Sequence, residues 1–280
     1  ASSQFAHAAC LACAENPGSN YNPLFIFGGS GLGKTHLLNA IGLRILKNFK
    51  GKKICYIRTE NFVQELINAL SHGKMVEFKN KFRDETDILL MDDIHVLSGK
   101  EKTEEEFFYI FNSLYESKKQ IVITSDKYPK DIPKIEDRLR SRLGWGLVAD
   151  IQPPDLETRV AILKKKSELE KIQVPLDVEL FLATHIKDNV RDLEGALIRM
   201  AAYSSLTGSE LSVELAKKVL KNIINLKEKI LTVEQIQKIV ANFFNITVPE
   251  LKSQRKKKSF AVPRQIAMYL ARKHTKSSFP

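Results

Sequence analysis

Short apolar runs without polar alternation recur through the first half of the chain. Between them, apolar residues return every three to four positions. The runs "LFIF" (24–27), "KICYIR" (53–58), "DILLMDD" (87–93), "QIVITSD" (120–126) and "GLVADI" (146–151) read as strands. Unalternating runs suit strands buried on both faces, so they predict a parallel sheet covered by the intervening helices. Thr103-Glu104-Glu105-Glu106 reads as a capping box opening the helix "FFYIFNSLYES". Strands alternating with helices predict an α/β domain over 1–153. After Pro153-Pro154 the strand pattern ends. "DLETRVAILKKKSELEKI", "DVELFLATHI", "VRDLEGALIRMAAYSSL" and "SVELAKKVLKNIINL" are helical in period and predict an all-α domain over 154–226.

A third region, 227–280, opens with a helix rich in Lys, Glu and Leu. Two capping boxes follow, Thr232-Val233-Glu234-Gln235 and Thr247-x-x-Glu250. The basic stretch "KSQRKKKS" comes next. Pro263 then precedes "RQIAMYLARKH", a place expected of proline in a first helical turn.

Charge sharpens this division. The chain of 280 residues carries a formal +11, and residues 228–280 hold 8 Lys and 3 Arg against Glu228, Glu234 and Glu250. Most of the excess lies in the last fifth, which points to a polyanionic partner. No apolar run approaches the roughly 18 residues of a membrane span. The first residues lack the basic and apolar regions of a secretory signal. They also lack an initiator Met, so the chain reads as part of something longer. Three cysteines are too few for a disulfide framework and fit a reducing cytosol. Cys10 and Cys13 form a C-x-x-C with no second pair or His cluster to complete a zinc site, so they read as packing residues in an Ala-rich helix.

The strongest chemical signal is "GGSGLGKT" (28–35), a G-x-x-x-x-G-K-[ST] loop between strand "LFIF" and helix "HLLNAIGLRILKNF". Glycines at 28, 31 and 33 let the backbone turn tightly, so N–H groups point inward at phosphate oxygens. The helix that follows adds its positive end. Gly28, Gly29, Ser30, Gly31, Leu32, Gly33, Lys34, Thr35 and His36 therefore form a candidate ATP/ADP site. Lys34 is placed to reach the β and γ phosphates and the Thr35 hydroxyl to ligate Mg²⁺. Asp92 and Asp93 end a buried strand. Asp92 is the candidate to hold Mg²⁺ through water, because hard cations prefer carboxylate oxygen. Asp93 is the candidate to orient or deprotonate the attacking water. Ser125 and Asp126, ending the next strand, are candidates to reach that water.

"EDRLRSRLGWG" (136–146) sets Arg138, Arg140 and Arg142 within a few residues past the fourth strand. Spacing alone leaves two readings open, a phosphate sensor and a structural ion pair.

"NPLFIFGGSGLGKTHLLNAIG", "DILLMDDIHVLSGKEKTEEEFFYIFNSLYE", "ITSDKYPKDI", "EDRLRSRLGWGL", "NVRDLEGAL" and "PRQIAMYLAR" together resemble the DnaA family of bacterial replication initiators. The resemblance covers essentially the whole chain, with the motifs in family order. It implies an AAA+ nucleotide-binding domain, a helical lid, and the beginning of a helix-turn-helix DNA-binding domain. By similarity Asp126 is sensor 1. Arg191 is the lid arginine that touches nucleotide in its own subunit. Arg142 is the finger reaching ATP on the next subunit, with Arg138 auxiliary and Arg140 without an assigned role.

The resemblance also gives "NFVQELINALSHGKMVEFKNKF" to the initiator-specific helices. There Ile67, together with Lys102 after the "DDI" strand, would contact single-stranded DNA. Lys102 stands where the family often has Arg, which keeps the charge but puts one bidentate contact in question. "KSQRKKKS" matches a minor-groove loop containing Arg255, Lys256, Lys257 and Lys258. The family often has Arg at 256 and 258, and lysine is the poorer minor-groove reader. Arg264 would contact the DNA backbone. The family continues past "KSSFP" into its recognition helix. Implied partners are double-stranded origin DNA, single-stranded DNA, further copies of the chain and a replicative helicase, in the cytoplasm.

The expected function is a slow, Mg²⁺-dependent ATPase acting as an assembly switch at a replication origin. An AAA+ helicase loader is the main rival, and the basic loop and "PRQIAMYLAR" argue against it. A small-molecule P-loop kinase would need an acceptor pocket and fits the basic C-terminal region poorly.

Overall fold

A computed structural model describes residues 2–19, 21–221, 233–253 and 257–274. The chain divides into two compact units, 1–223 and 224–280. In the first, α1 (Ser2–Glu15) precedes β1 (Leu24–Gly28), α2 (Lys34–Asn48), β2 (Ile54–Arg58), α3 (Thr59–Ser71), α4 (Met75–Arg83) and β3 (Ile88–Asp92). Then follow α5 (Glu101–Glu116), β4 (Gln120–Ser125), α6 (Asp137–Leu143) and β5 (Leu147–Ile151). All five strands are parallel, in the order β2-β3-β4-β1-β5.

The apolar runs are continuous because successive side chains enter two different cores. On β3, Leu89 and Met91 join the core under α3–α6, while Ile88 and Leu90 join the core under α1 and α2. β1 and β4 divide in the same way: Phe25, Ile121 and Ile123 point to one side, and Leu24, Ile26 and Val122 to the other. The α3–α5 side is anchored by Phe62, whose ring meets Phe78, Phe82 and Phe107 at centroid distances of 5.2–5.7 Å. Truncating such a buried ring typically costs about 3–5 kcal/mol. Cys10 and Cys13 are buried in the α1–α2 core as free thiols, and burial pushes both up to about 12. They are packing residues, as expected.

The capping box expected at Thr103 is not there. The Lys100 carbonyl already accepts the N–H groups of Thr103 and Glu104, so α5 starts at Glu101. Buried Glu104 serves another purpose. Its carboxylate accepts the N–H of Gly99 at 3.0 Å and that of Glu136 at 2.8 Å, fixing the loop before α5 to the start of α6.

Past β5 come α7 (Leu156–Glu170), α8 (Leu176–His185), α9 (Val190–Thr207) and α10 (Val213–Val219). Three begin at side-chain caps that accept backbone N–H groups: Asp155, Asn189 and Ser212. Buried Arg159 ties α7 to α8 by donating to the carbonyls of Ala183 (2.7 Å) and Pro154 (2.6 Å).

The second unit holds α11 (Val233–Phe243), α12 (Val248–Lys252) and α13 (Lys258–His274) around Ile236, Val240, Ala241, Leu251 and Ala267. Thr247 and Glu250 form the expected capping box. The expected box at Thr232 lies outside the described residues, as does the segment 222–231. Pro263 is not in a first turn. The Lys257 carbonyl accepts from Phe260 and Ala261, so α13 starts earlier and Pro263 lies inside it. Lacking an N–H, Pro263 cannot make the i−4 helix bond to Ser259. Among the described residues, no helix is long and apolar enough to cross a membrane.

Candidate functional site

The strand order brings three loop ends side by side. β4 lies between β3 and β1, so Asp126 falls between Asp92 and the glycine loop at the carboxyl edge of the sheet. Ligands of open α/β sheets bind at that edge, where strand order reverses. Gly31 and Gly33 adopt φ of 75° and 92°, left-handed values that favour glycine.

Lys34 opens α2 and is only 6% exposed. Its ammonium donates to the carbonyls of Gly28 and Gly29, each at 2.9 Å, and to Asp126 Oδ1 at 2.5 Å. A buried cation is tolerated because every donor has an acceptor. Next to it, Thr35 Oγ1 donates to Asp92 Oδ2 at 2.8 Å. Asp92, 1% exposed, also accepts from Thr124 Oγ1 and, at 3.4 Å, from the Tyr56 hydroxyl. The Thr59 hydroxyl holds its backbone carbonyl at 2.8 Å.

Among the described residues, Asp92 thus meets hydroxyls rather than a cationic side chain. No group of three or more His, Cys, Asp or Glu there could hold a metal by itself. One carboxylate beside one hydroxyl fits Mg²⁺, which is usually held by few protein oxygens together with waters and substrate phosphates.

Asp93 adopts φ 59° and ψ 50°. Its N–H donates to Thr124 Oγ1 at 2.9 Å, so one hydroxyl aligns both aspartates. Burial first, then neighbouring Asp92, raises the Asp93 carboxyl above its ordinary value. Asp126 also meets His95: its N–H donates to Nδ1 at 3.4 Å, and Oδ2 lies 3.9 Å from Nε2. Ser125 is buried, and its hydroxyl accepts the N–H of Lys127, leaving Asp126 as the residue that faces the loop.

Gly29, Ser30 and His36 are exposed, and Leu32 lines a cleft of about 390 Å³ beside the loop. Phe27, Tyr128 and Ile151 give that cleft an apolar wall, while Asp126, Asp131, Asp150 and Asp188 surround it. The start of α9 closes on the loop. A Cβ at Gly31 would stand 1.8 Å from Asn189 Oδ1, the oxygen that accepts the Arg191 N–H at 2.9 Å. Exposed Arg191 therefore sits one short step from the loop.

The other candidates lie elsewhere. Ile67 is 48% exposed on α3, and Lys102 is exposed in the first turn of α5. The α6 arginines separate into two kinds. Arg138 pairs with Glu136 at 2.5 Å and lies 3.9 Å from Glu105. Arg140 pairs with Asp137 and donates to the Ile135 carbonyl at 2.8 Å. Arg142 has no ion pair among the described residues, and its guanidinium lies 4.5 Å from the Trp145 ring centroid. In the second unit, Lys257 and Lys258 are exposed at the start of α13, whereas Arg255 and Lys256 lie outside the described residues. Arg264 donates to the carbonyls of Leu251 (3.1 Å) and Ser253, closing the end of α12. That structural use was not foreseen.

Thr124, Tyr56, Thr59 and His95 were also missed. A threonine or tyrosine in a strand run ordinarily signals β propensity, Thr59 merely opens α3, and nothing in the spacing sets these three apart. His95, three residues past Asp92, was the one with a usable signal.

The bacterial DnaA ATPase domain family matches residues 1–150, and the bacterial DnaA helix-turn-helix family matches 233–280. A chromosomal replication initiator protein DnaA from Geotalea daltonii is 62% identical over 280 residues, all of this chain and 63% of the relative. The chain thus spans less than two thirds of the length of that curated relative. Domain III of DnaA from Thermotoga maritima superposes with a TM-score of 0.76 at 44% identity, covering 80% of this chain and 92% of that one. A replication initiator DnaA bound to AMPPCP and single-stranded DNA gives 0.66 at 34% identity, covering 98% and 80%. By its AAA+ sheet, its phosphate-loop geometry and these matches, the chain belongs to the bacterial DnaA family.

Proposed function

We propose that the chain is the ATP-responsive part of a replication-origin initiator, which binds and slowly hydrolyses ATP, assembles on origin DNA in the ATP state and promotes duplex opening. The observation that carries this reading is the convergence of Lys34, Asp126, Thr35 and Asp92 at adjacent strand ends. Residues 1–153 form the nucleotide-binding base, 154–226 the lid, and 227–280 the linker helix and part of a DNA-binding domain. The three free cysteines suit a reducing cytoplasm.

Phosphate oxygens belong at the loop amides and the Lys34 ammonium. Four carboxylates against the single Lys127 around the adjacent cleft would repel them, so the cleft suits the hydroxyl-bearing, less charged part of a nucleotide. Thr35 and, through water, Asp92 would hold Mg²⁺, which would supply charge neutralisation for the phosphates. Asp93, raised toward proton acceptance by burial, orients the attacking water and takes its proton. Asp126 senses the γ phosphate through its link to Lys34. Arg191 reaches nucleotide from the lid of the same subunit.

Arg142 acts on nucleotide bound by a neighbouring copy, with Arg138 auxiliary. Among the described residues its donors are not committed to a carboxylate. Ile67 and Lys102 bind single-stranded DNA in the assembly. Arg255, Lys256, Lys257, Lys258 and Arg264 serve duplex DNA, and a replicative helicase is a further partner. The sharpest test of the nucleotide site is calorimetry on Lys34→Ala. Binding of ATP and ADP should be lost together, and unchanged affinity for either would reject the site.

A further inference from the structure

Trp145 is the chain's one tryptophan, and it is 58% exposed in the turn between α6 and β5. An exposed indole with two stacking partners calls for a reason. It lies against Tyr115, with centroids 5.3 Å apart and planes at 29°. Tyr115 stacks in turn on buried Phe111, at 6.3 Å and 9°. The Arg142 guanidinium also lies over the ring, 4.5 Å from its centroid. A ladder of three rings thus runs from the core of α5 out to one arginine. The Trp145 backbone N–H closes the turn by donating to the Arg142 carbonyl at 3.3 Å. At Gly146 the backbone passes so close to Pro23 that a Cβ there would come within 1.9 Å of the Pro23 carbonyl oxygen.

We propose that Trp145, backed by Tyr115, is a positioning residue for Arg142, holding the guanidinium ready for a neighbour's phosphate by one face so that its N–H donors stay uncommitted. The inference rests on the reading of Arg142 as acting on a neighbouring copy. A carboxylate partner would fix the side chain equally well. It would also occupy donors that a phosphate needs, as Asp137 does for Arg140. An aromatic face attracts the cation without accepting its in-plane hydrogen bonds. It lowers the cost of ordering a long side chain, and nothing must be broken on engagement.

The test uses the 280-residue chain and its Trp145→Ala, Trp145→Phe, Arg142→Ala and doubly substituted W145A/R142A forms. Three readouts are compared: assembly driven by a non-hydrolysable ATP analogue, analogue affinity of the dilute monomer, and thermal melting. Trp145→Ala should weaken assembly about three- to tenfold with monomer affinity unchanged. Trp145→Phe, which keeps a face, should recover most of the loss. Adding Trp145→Ala to Arg142→Ala should do nothing further. Arg142→Ala should also change the single tryptophan's emission. Wild-type assembly by Trp145→Ala while Arg142→Ala fails would overturn the positioning role and leave the finger intact. Wild-type assembly by Arg142→Ala would reject the finger itself. Equal damage from Ala and Phe, or additive loss in the double variant, would make Trp145 an ordinary packing or interface residue. Unaltered emission in Arg142→Ala would mean that the contact is not populated in solution.

Discussion

The Lys34 ammonium donates to Asp126 Oδ1 across 2.5 Å, joining the phosphate loop after β1 to the end of β4. This carboxylate competes for the charge that phosphate needs. Asp126→Asn should therefore bind ATP and ADP more tightly, by about three- to tenfold, since an ion pair is replaced by a weaker bond from the ammonium to a neutral amide oxygen. The same change should lower the melting temperature of the protein alone, because a buried ammonium loses its counter-charge. Titration calorimetry reads the first effect and a melting curve the second. A tenfold loss of affinity would show that Asp126 helps to hold nucleotide rather than competing with it.

Most of this site was legible in the sequence, for a physical reason. Glycine at 31 and 33, Lys34 and Thr35 are constrained by backbone conformation and charge, and such constraints leave a fixed spacing. The strands are readable because both faces of the sheet are buried, which removes polar residues from the runs. Local start signals failed where tertiary bonds decided. Glu104 was spent on the α6 start rather than on a cap, and α13 began before its proline. Thr124, which aligns both aspartates through one hydroxyl, has no spacing signature. The three α6 arginines look alike in sequence, and only the placement of Glu136, Asp137 and Trp145 separates them.

Cys10 and Cys13 should be nearly inert in the folded chain. Burial pushes both thiols from 9.0 up to about 12, so at pH 8 their thiolate fraction falls by about a thousandfold, and the thiolate is the nucleophile. Alkylation followed by mass spectrometry should label them only after unfolding. Rapid native labelling of both would show that the α1–α2 core opens readily.

Arg264→Ala should cost the C-terminal helical unit about 1–3 kcal/mol, because the carbonyls of Leu251 and Ser253 lose their donor. Arg264→Lys should rescue little, since a single ammonium does not reproduce a planar fork. Melting curves followed by circular dichroism decide this. A lysine variant as stable as the parent would contradict the role, and its effect on DNA binding would then become the informative readout.

Ile67→Ala and Lys102→Ala should weaken single-stranded DNA binding by the ATP-bound assembly while sparing duplex binding. Both side chains are exposed, and neither belongs to the phosphate site. Losing one phosphate contact at Lys102 should also make the salt dependence shallower by about 0.7 in log–log slope. Fluorescence anisotropy on both DNA forms separates the cases, and equal losses on the two would point to a folding defect.

On the proposed reading, the γ phosphate is read by a second copy of the chain through Arg142. Sedimentation of the wild-type chain and of Arg142→Ala, with ADP and with a non-hydrolysable ATP analogue, each with and without single-stranded DNA, tests it most directly. The wild type should form larger species with the analogue than with ADP, more so on single-stranded DNA. Arg142→Ala should stay small in every condition while binding the analogue nearly as tightly as the wild type. Identical sizes for the wild type in the two nucleotides, or an Arg142→Ala monomer that loses analogue affinity tenfold, would contradict an arginine acting between copies.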